Sequence, residues 1–232
     1  MSTPDAPATS GFRAPPPWVV FLFLLLGMGA VGAAFFFPLK PPELPSPEAK
    51  VIPPEYPTAP PFLLTERLGG QVDNTALDGK VWVASFAFTR CKFCPQVSST
   101  MARLRSELKL ADDDGFRLVT FTIDPDHDTP DELTKYAERF TTRGDPRWLF
   151  LYGPERYVHL LCERGFKVGV EEKPDQPEEL RFDHFLDLLV IDKKGRVRGI
   201  FAGKPPEREG EEKGFEESFA ALKAKVAELL KE

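Results

Sequence analysis

The run Phe88-Thr89-Arg90-Cys91-Lys92-Phe93-Cys94-Pro95 places two cysteines three positions apart, where a predicted strand meets a predicted helix. Residues 81–88 form an apolar run typical of a buried strand, and residues 96–110 have the pattern of a helix. The helix dipole and the flanking Arg90 and Lys92 are expected to favour thiolate over thiol. Such a pair either exchanges disulfides or binds a soft metal, and its position before a proline argues against two merely structural cysteines.

Residues 62–232 show the alternating elements of one α/β domain. Further strands are predicted at 116–124, 148–152, 185–191 and 197–201, and further helices at 131–140, at 155–166 and along a C-terminal apolar face of Phe215, Phe219, Leu222, Val226 and Leu229. The last two strands are joined by Lys193-Lys194-Gly195-Arg196, which is short enough for an antiparallel hairpin. This order predicts a thioredoxin-like fold, a central mixed sheet flanked by helices.

The N-terminal 61 residues divide into three predicted segments. Residues 1–17 form a tail, and residues 18–37 are apolar without a single charge, about the 20 residues that a transmembrane helix needs. A cleaved signal peptide is the alternative, although Phe35-Phe36-Phe37-Pro38 stands where a polar cleavage region is expected. Residues 38–61 contain ten prolines, which predicts an extended, semi-rigid linker. We therefore expect a domain tethered to a membrane by one helix.

Three motifs in this order resemble the Sco/SenC family. They are the cysteine turn with its trailing Pro95, the segment Thr122-Ile123-Asp124-Pro125 followed by Asp128-Thr129-Pro130, and Asp183-His184 ahead of Leu188-Leu189-Val190-Ile191-Asp192. Members of that family are membrane-anchored, thioredoxin-fold copper proteins that help to assemble the CuA centre of cytochrome c oxidase. The resemblance implies that Cys91, Cys94 and His184 bind copper.

The spacing of the cysteines departs from the family pattern. The family motif usually has three residues between its cysteines, whereas only Lys92 and Phe93 intervene here. Two thiolates in this arrangement can still hold Cu(I), and they are also suited to forming a disulfide and passing it on. Within the pair, Cys91 is predicted to be the exposed nucleophile and Cys94 the resolving thiol, held in the first helical turn by Pro95.

His184 favours the copper interpretation. Thioredoxin-like oxidoreductases normally have a cis-proline before the hairpin, facing the cysteines, but residues 178–192 contain no proline, and we expect the imidazole of His184 to take that place. An imidazole beside two thiolates makes a site suitable for either oxidation state of copper.

Other polar residues have less specific interpretations. We expect His127 to lie in a turn that caps the next helix, Cys162 to be a core residue, and His159 not to pair with it on a metal. Asp124 stands at the end of a strand that opens toward the cysteine loop, and a role in tuning the ionisation of the thiols is left open. The acidic segment 171–179 is either a solvated loop or a mobile cover for the site. A peroxidase is disfavoured because no proline precedes Cys91 within the strand.

The sequence therefore predicts a copper metallochaperone of the bacterial inner membrane, single-pass, with its domain in the periplasm or an equivalent compartment. Its expected partner is the copper subunit of cytochrome c oxidase or another copper or thiol protein. The net charge of −6 and the lack of a basic patch argue against nucleic acid. The alternative is an anchored thiol–disulfide oxidoreductase that acts on such cysteines without carrying copper.

Overall fold

The segment Val81–Ala87 (β3) is an interior strand of the sheet, and all seven of its residues are buried, with no polar alternation. A computed structural model describes residues 58–208 and 210–232. Within these residues, seven strands form a mixed sheet in the order β2-β1-β5-β4-β3-β8-β9, and β6 pairs with β7 in a separate two-stranded ribbon. The strands are Leu63–Glu66 (β1), Gln71–Asp73 (β2), Val81–Ala87 (β3), Phe116–Thr122 (β4), Trp148–Tyr152 (β5), Val170–Glu172 (β6), Phe182–His184 (β7), Leu188–Ile191 (β8) and Val197–Phe201 (β9).

Helices cover both faces of this sheet. They are Cys94–Glu107 (α1), Pro130–Ala137 (α2), Glu155–Leu160 (α3) and Glu212–Lys231 (α4), with short 3₁₀ turns at Asn74–Leu77 and Glu178–Leu180. The helices α1, α2 and α4 share one face. The hydroxyls of Ser98 and Tyr136, 2.9 Å apart, join α1 to α2, and the ion pair between Arg103 and Glu216 joins α1 to α4. The opposite face is covered by α3 and the π-helical turn Leu161–Phe166 that continues it.

An aromatic cluster fills the core under the π-helical turn. Phe166 lies 5.2 Å from both Phe86 of β3 and Phe121 of β4 and 6.4 Å from Trp82, measured between ring centroids. Edge-to-face and tilted contacts of this kind add to the free energy gained by burying the rings. The cluster thereby anchors the segment that leads from the π-helical turn toward β7.

Most predicted elements are confirmed, with shifted ends. The hairpin of β8 and β9 is antiparallel as expected, but β8 begins at Leu188 instead of residue 185. The helix predicted from residue 96 begins at Cys94, and the one predicted to run to residue 166 changes to π-helical geometry after Leu160. The short strands β1, β2, β6 and β7 were not predicted, because segments of three or four residues carry too little periodicity.

The N-terminal boundary of the packed domain lies ahead of residue 62. The amide of Ala59 donates to the carbonyl of Gly195 at 2.7 Å, and the side-chain amide of Asn74 donates to the carbonyl of Pro60 at 2.9 Å. The end of the predicted linker is therefore part of the fold. The predicted transmembrane helix 18–37 and the linker up to residue 57 lie outside the described residues. Among the residues described, no helix has the length and apolarity to cross a bilayer.

The pairing of β3 with β8 sets up the functional end of the sheet. These strands are antiparallel, with Ala84 opposite Leu189, and this register continued beyond the paired residues brings residue 184 level with residue 89. The carboxyl end of β3 and the chain entering β8 therefore meet at one edge. Gly203 allows the chain entering β8 to pass close by, because a Cβ atom at this position would collide with the carbonyl oxygen of Leu186.

The hairpin turn after β8 depends on a buried carboxylate. Asp192 is 2% exposed and accepts hydrogen bonds from the backbone amides of Lys194 and Arg196 and from the guanidiniums of Arg196 and Arg198, at 2.7 to 3.0 Å. Burial alone would raise its pKa, but these donors outweigh burial and lower the pKa of Asp192 to about 2. The carboxylate is therefore ionised in the folded protein.

Asp192→Asn should lower the free energy of unfolding at pH 7 by about 2 kcal/mol, because charge-assisted hydrogen bonds are weakened. The folded-state pKa lies below the ordinary 3.8, so the stabilisation is present above that value and is lost as the pH falls through about 2. Urea denaturation at pH 7 and pH 2.5 should show a smaller difference from wild type at the lower pH. The exposed Asp112→Asn is the control, and an equal loss at both pH values would contradict this account.

Candidate metal centre

The first cysteine sits in a tight loop between β3 and α1. The amide of Cys91 donates to the carbonyl of Phe88 at 3.1 Å, and the Sγ of Cys91 accepts hydrogen bonds from the amides of Phe93 at 3.3 Å and Cys94 at 3.1 Å. Phe93 caps α1 and Cys94 is its first residue, so these amides belong to the unpaired donors at the helix N-terminus. The sulfur of Cys91 therefore occupies an anion-binding position.

His184 reaches the cysteines from the end of β7. Its ring packs edge-to-face on Phe88 with centroids 5.4 Å apart, and its Nδ1 lies 3.2 Å from the carbonyl oxygen of Phe182. A carbonyl oxygen only accepts, so Nδ1 carries a proton, and in the neutral form of the ring the lone pair is on Nε2. That Nε2 lies 3.3 Å from the Sγ of Cys94.

The three predicted site residues are thus brought together. The two Sγ atoms and a ring nitrogen of His184 lie within 4.8 Å of one another. Among residues 58–208 and 210–232, this is the only group of three or more Cys, His, Asp or Glu side chains placed to share a metal ion. Two thiols and one imidazole form a donor set that suits a soft ion such as Cu(I).

The two thiols have opposite tendencies to ionise. The hydrogen bond from the Cys94 thiol, followed by interactions with His184 and the amide of Phe93, lowers the pKa of Cys91 to about 5 against the effect of burial. Burial and the neighbouring sulfur of Cys91 raise the pKa of Cys94 well above its usual value. At neutral pH the site therefore holds one thiolate, Cys91, and one thiol, Cys94.

The cations flanking Cys91 are engaged with carboxylates. Arg90 forms ion pairs with Asp124, at 2.5 Å, and with Glu178. Lys92 is exposed and lies 4.0 Å from Glu207. Both cations were predicted to stabilise the thiolate, but the groups that lower the pKa of Cys91 are Cys94, His184 and the amide of Phe93. The carboxylate of Asp124 pairs with Arg90, and its Oδ1 lies 3.0 Å from the Nδ1 of His127. A role for Asp124 in tuning the thiols stays a prediction.

Cys91 is less exposed than predicted. Cys91 is 4% exposed, so the prediction that it is exposed was wrong, whereas its role as the nucleophile stays a prediction. It lines a cavity of about 290 Å³ together with Phe93, Leu180 and His184, and Cys94 is fully buried beneath it. A reagent or partner reaches Cys91 through this cavity, which leaves it the more accessible of the two thiols.

The acidic segment 171–179 lies against the cysteine loop. It enters the ribbon of β6 and β7, in which Val170 pairs with His184. The amide of Lys92 donates to the carbonyl of Glu179 at 3.1 Å, and Gln176 and Glu179 line the cavity beside Cys91. The segment covers the site in this structure, and its movement is still a prediction.

The remaining candidates have structural partners. Cys162 is fully buried, and burial raises its pKa to about 12, which confirms it as a core residue. The Nε2 of His159 lies 2.7 Å from the carbonyl oxygen of Ile123. His127 is in the predicted turn, but the cap of α2 is Thr129, whose hydroxyl accepts from the amide of Glu132 at 3.3 Å.

Comparison with known proteins decides the family. A sequence profile described as SCO1/SenC matches residues 52–214, well over half of the chain. The chain belongs to the SCO1/SenC family. The SCO1 protein homolog of Bacillus subtilis is 31% identical over 145 residues, which cover 62% of this chain and 72% of that protein.

Solved structures of Sco proteins have the same fold. BsSco, described as a member of the Sco family of cytochrome c oxidase assembly proteins with a disulfide switch, is 25% identical, with a TM-score of 0.59 over 76% of this chain and 95% of that one. Bradyrhizobium japonicum ScoI, solved with copper bound, is 22% identical, with a TM-score of 0.58 over 74% of this chain and 99% of that one. The predicted thioredoxin-like architecture of the domain is thereby confirmed.

In the reduced chain, Cys91 should be alkylated first and Cys162 last. The rate at Cys91 should follow a single ionisation near pH 5, whereas Cys94 and Cys162 should react slowly up to pH 8 because burial keeps both protonated. Mass spectrometry after brief iodoacetamide treatment gives the order, and the urea-unfolded chain is the control in which all three react alike. Preferential labelling of Cys162 would contradict its place in the core.

Proposed function

We propose that this chain is a membrane-anchored copper metallochaperone that assists assembly of the CuA centre of cytochrome c oxidase. The observation that carries the proposal is the convergence of two Sγ atoms and one imidazole nitrogen, within 4.8 Å, in a chain of the SCO1/SenC family. Copper is the cargo, and the expected partner is the copper subunit of the oxidase or another copper or thiol protein.

The ligands would be the Sγ of Cys91, the Sγ of Cys94 and the Nε2 of His184. Cys91 is already a thiolate at neutral pH, and the hydrogen bond from Nδ1 to Phe182 leaves Nε2 free to bind. Cys94 must lose its proton to act as a ligand, so loading should release a proton and the apparent affinity should rise with pH. A Cu(I) ion between two thiolates repays the cost of ionising the second one.

The proposed location follows from the N-terminal sequence. The apolar run 18–37 would anchor the chain in the bacterial inner membrane, and the linker 38–61, most of which precedes the packed domain, would hold residues 62–232 away from the bilayer on the periplasmic side. A dithiol that alternates between copper-bound and disulfide states suits such an extracytoplasmic compartment.

A second candidate, thiol–disulfide exchange, is favoured by the two-residue spacing and by the contact between Cys94 and His184. The thiolate of Cys91 would attack one sulfur of a client disulfide and release the other as a thiolate. Cys94 would then give its proton to Nε2 of His184, 3.3 Å away, and attack Cys91. Two electrons pass to the client, which leaves with two reduced cysteines, while Cys91 and Cys94 become a disulfide.

Replacing Cys91 or Cys94 with Ser should abolish tight Cu(I) binding, because a hydroxyl is a poor ligand for a soft ion. His184→Ala should weaken Cu(I) binding or selectively remove Cu(II) binding, since thiolates dominate the binding of Cu(I). The stoichiometry of copper binding is measured under reducing conditions on a chain that begins at residue 58. This chain keeps the hydrogen bonds of Ala59 and Pro60 to the domain. Cys162→Ala is the matched control. Unchanged stoichiometry in both cysteine variants would refute the copper site.

The spacing of the cysteines separates the two candidate functions. If it favours exchange, the reduced chain should reduce a disulfide-bonded peptide copied from an oxidase copper site, and copper loading should block this reaction by occupying both thiolates. A chaperone should instead transfer copper to the reduced peptide. Inserting one residue between Phe93 and Cys94 should increase copper retention and slow exchange. If the insertion alters neither, spacing does not decide between the functions.

A further inference from the structure

We propose that Asp128 is a positioning residue of the dithiol site, whose buried carboxylate holds Thr89 and thereby fixes the loop that presents Cys91. The proposal rests on the proposed function, because it assigns a role in the site that Cys91 and Cys94 form. Asp128 lies in the turn between β4 and α2, 37 positions after Cys91 in the chain.

The carboxylate of Asp128 is surrounded by donors. The residue is fully buried, the backbone amide of Thr89 lies 3.1 Å from both of its oxygens, and the hydroxyl of Thr89 lies 2.5 Å from Oδ1. The hydroxyl of Thr122, at the end of β4, donates to Oδ2. Burial raises the pKa of Asp128 to about 6 although these hydrogen bonds to Thr122 and Thr89 oppose the rise. Removing the acceptor would leave buried donors without a partner, so the contact is costly to lose.

These bonds act on the loop just before the nucleophile. Thr89 is two residues before Cys91, and the loop must curl there for the amides of Phe93 and Cys94 to point at the Cys91 sulfur. Asp128 is itself held, because its amide donates to the carbonyl of Asp124 at 2.8 Å and α2 begins two residues later. The carboxylate therefore connects a fixed turn to the loop that carries the thiolate.

Two aspartates of this turn lie near the cysteine loop, and they have different partners. Asp128 accepts hydrogen bonds from Thr89 and Thr122. The neighbouring Asp124 pairs with Arg90 and His127. Of these two carboxylates, Asp128 is therefore the one that is bonded to the backbone of the cysteine loop.

The experiment compares Asp128→Ala and Asp128→Asn in the full-length, reduced chain in mild detergent, without copper. The readout is the pH midpoint of Cys91 alkylation. Asp128→Ala removes every acceptor for Thr89, so the loop should relax away from the helix amides and the midpoint should rise by about one unit, a tenfold loss of thiolate at pH values below it. Asp128→Asn keeps one acceptor oxygen and loses the charge, so the midpoint should stay or fall.

Asp192→Ala is the matched control, because Asp192 is an equally buried, hydrogen-bonded aspartate in the hairpin after β8. It should destabilise the fold but leave the Cys91 midpoint unchanged. An equal shift in the Asp192 and Asp128 alanine variants, or no shift in Asp128→Ala, would overturn the proposal. If Asp128→Ala does not fold, Thr89→Val, which removes one of the donors, should give a smaller rise, and no rise would likewise overturn it. Copper plays no part in this readout, so failure here is distinct from failure of the copper site.

Discussion

The antiparallel pairing of β3 with β8 is the constraint on which the site depends. It turns a separation of 90 positions between Cys94 and His184 into a contact of 3.3 Å. The pairing is enforced by burial, because every residue of both strands is buried and a slip of one residue would exchange their faces. Residues placed to share one metal ion are thus held by the same apolar contacts that stabilise the core.

Electrostatic repulsion limits this site to one negative charge until a cation is present. Two thiolates in contact, shielded from water, repel each other, so the low pKa of Cys91 and the raised pKa of Cys94 have a common origin. A soft cation removes the repulsion and allows both sulfurs to ionise. Oxidation to a disulfide removes it in another way, because neither sulfur then carries charge. Repulsion between two thiolates is therefore avoided in the singly ionised, metal-bound and disulfide states alike.

The main elements and the three residues that the structure brings together, Cys91, Cys94 and His184, could be predicted from the sequence because the elements and the motifs have strong local signals. A fully apolar strand, a Cys-x-x-Cys-Pro turn and a helical apolar stripe can be recognised without knowledge of their neighbours. The ribbon of β6 and β7 has no such signal, since each strand has three residues and its partner is distant. The ion pair of Arg90 with Asp124 and the hydrogen bonds of Asp128 with Thr89 were also not predicted. Both depend on side chains brought close by the parallel pairing of β3 with β4, which local patterns do not encode.

The destination of the proton that Cys94 loses distinguishes the two candidate chemistries of the site. Both begin with a thiolate at Cys91 and both require Cys94 to lose its proton, and the Nε2 of His184, 3.3 Å from the Sγ of Cys94, can accept it. When that nitrogen takes the proton, it is no longer free to bind a metal ion, and the site is poised for disulfide exchange. In the proposed copper site the same nitrogen would be a ligand, so the proton of Cys94 would have to leave to solvent. Copper binding and exchange would therefore compete for the same lone pair as well as for the same two sulfurs.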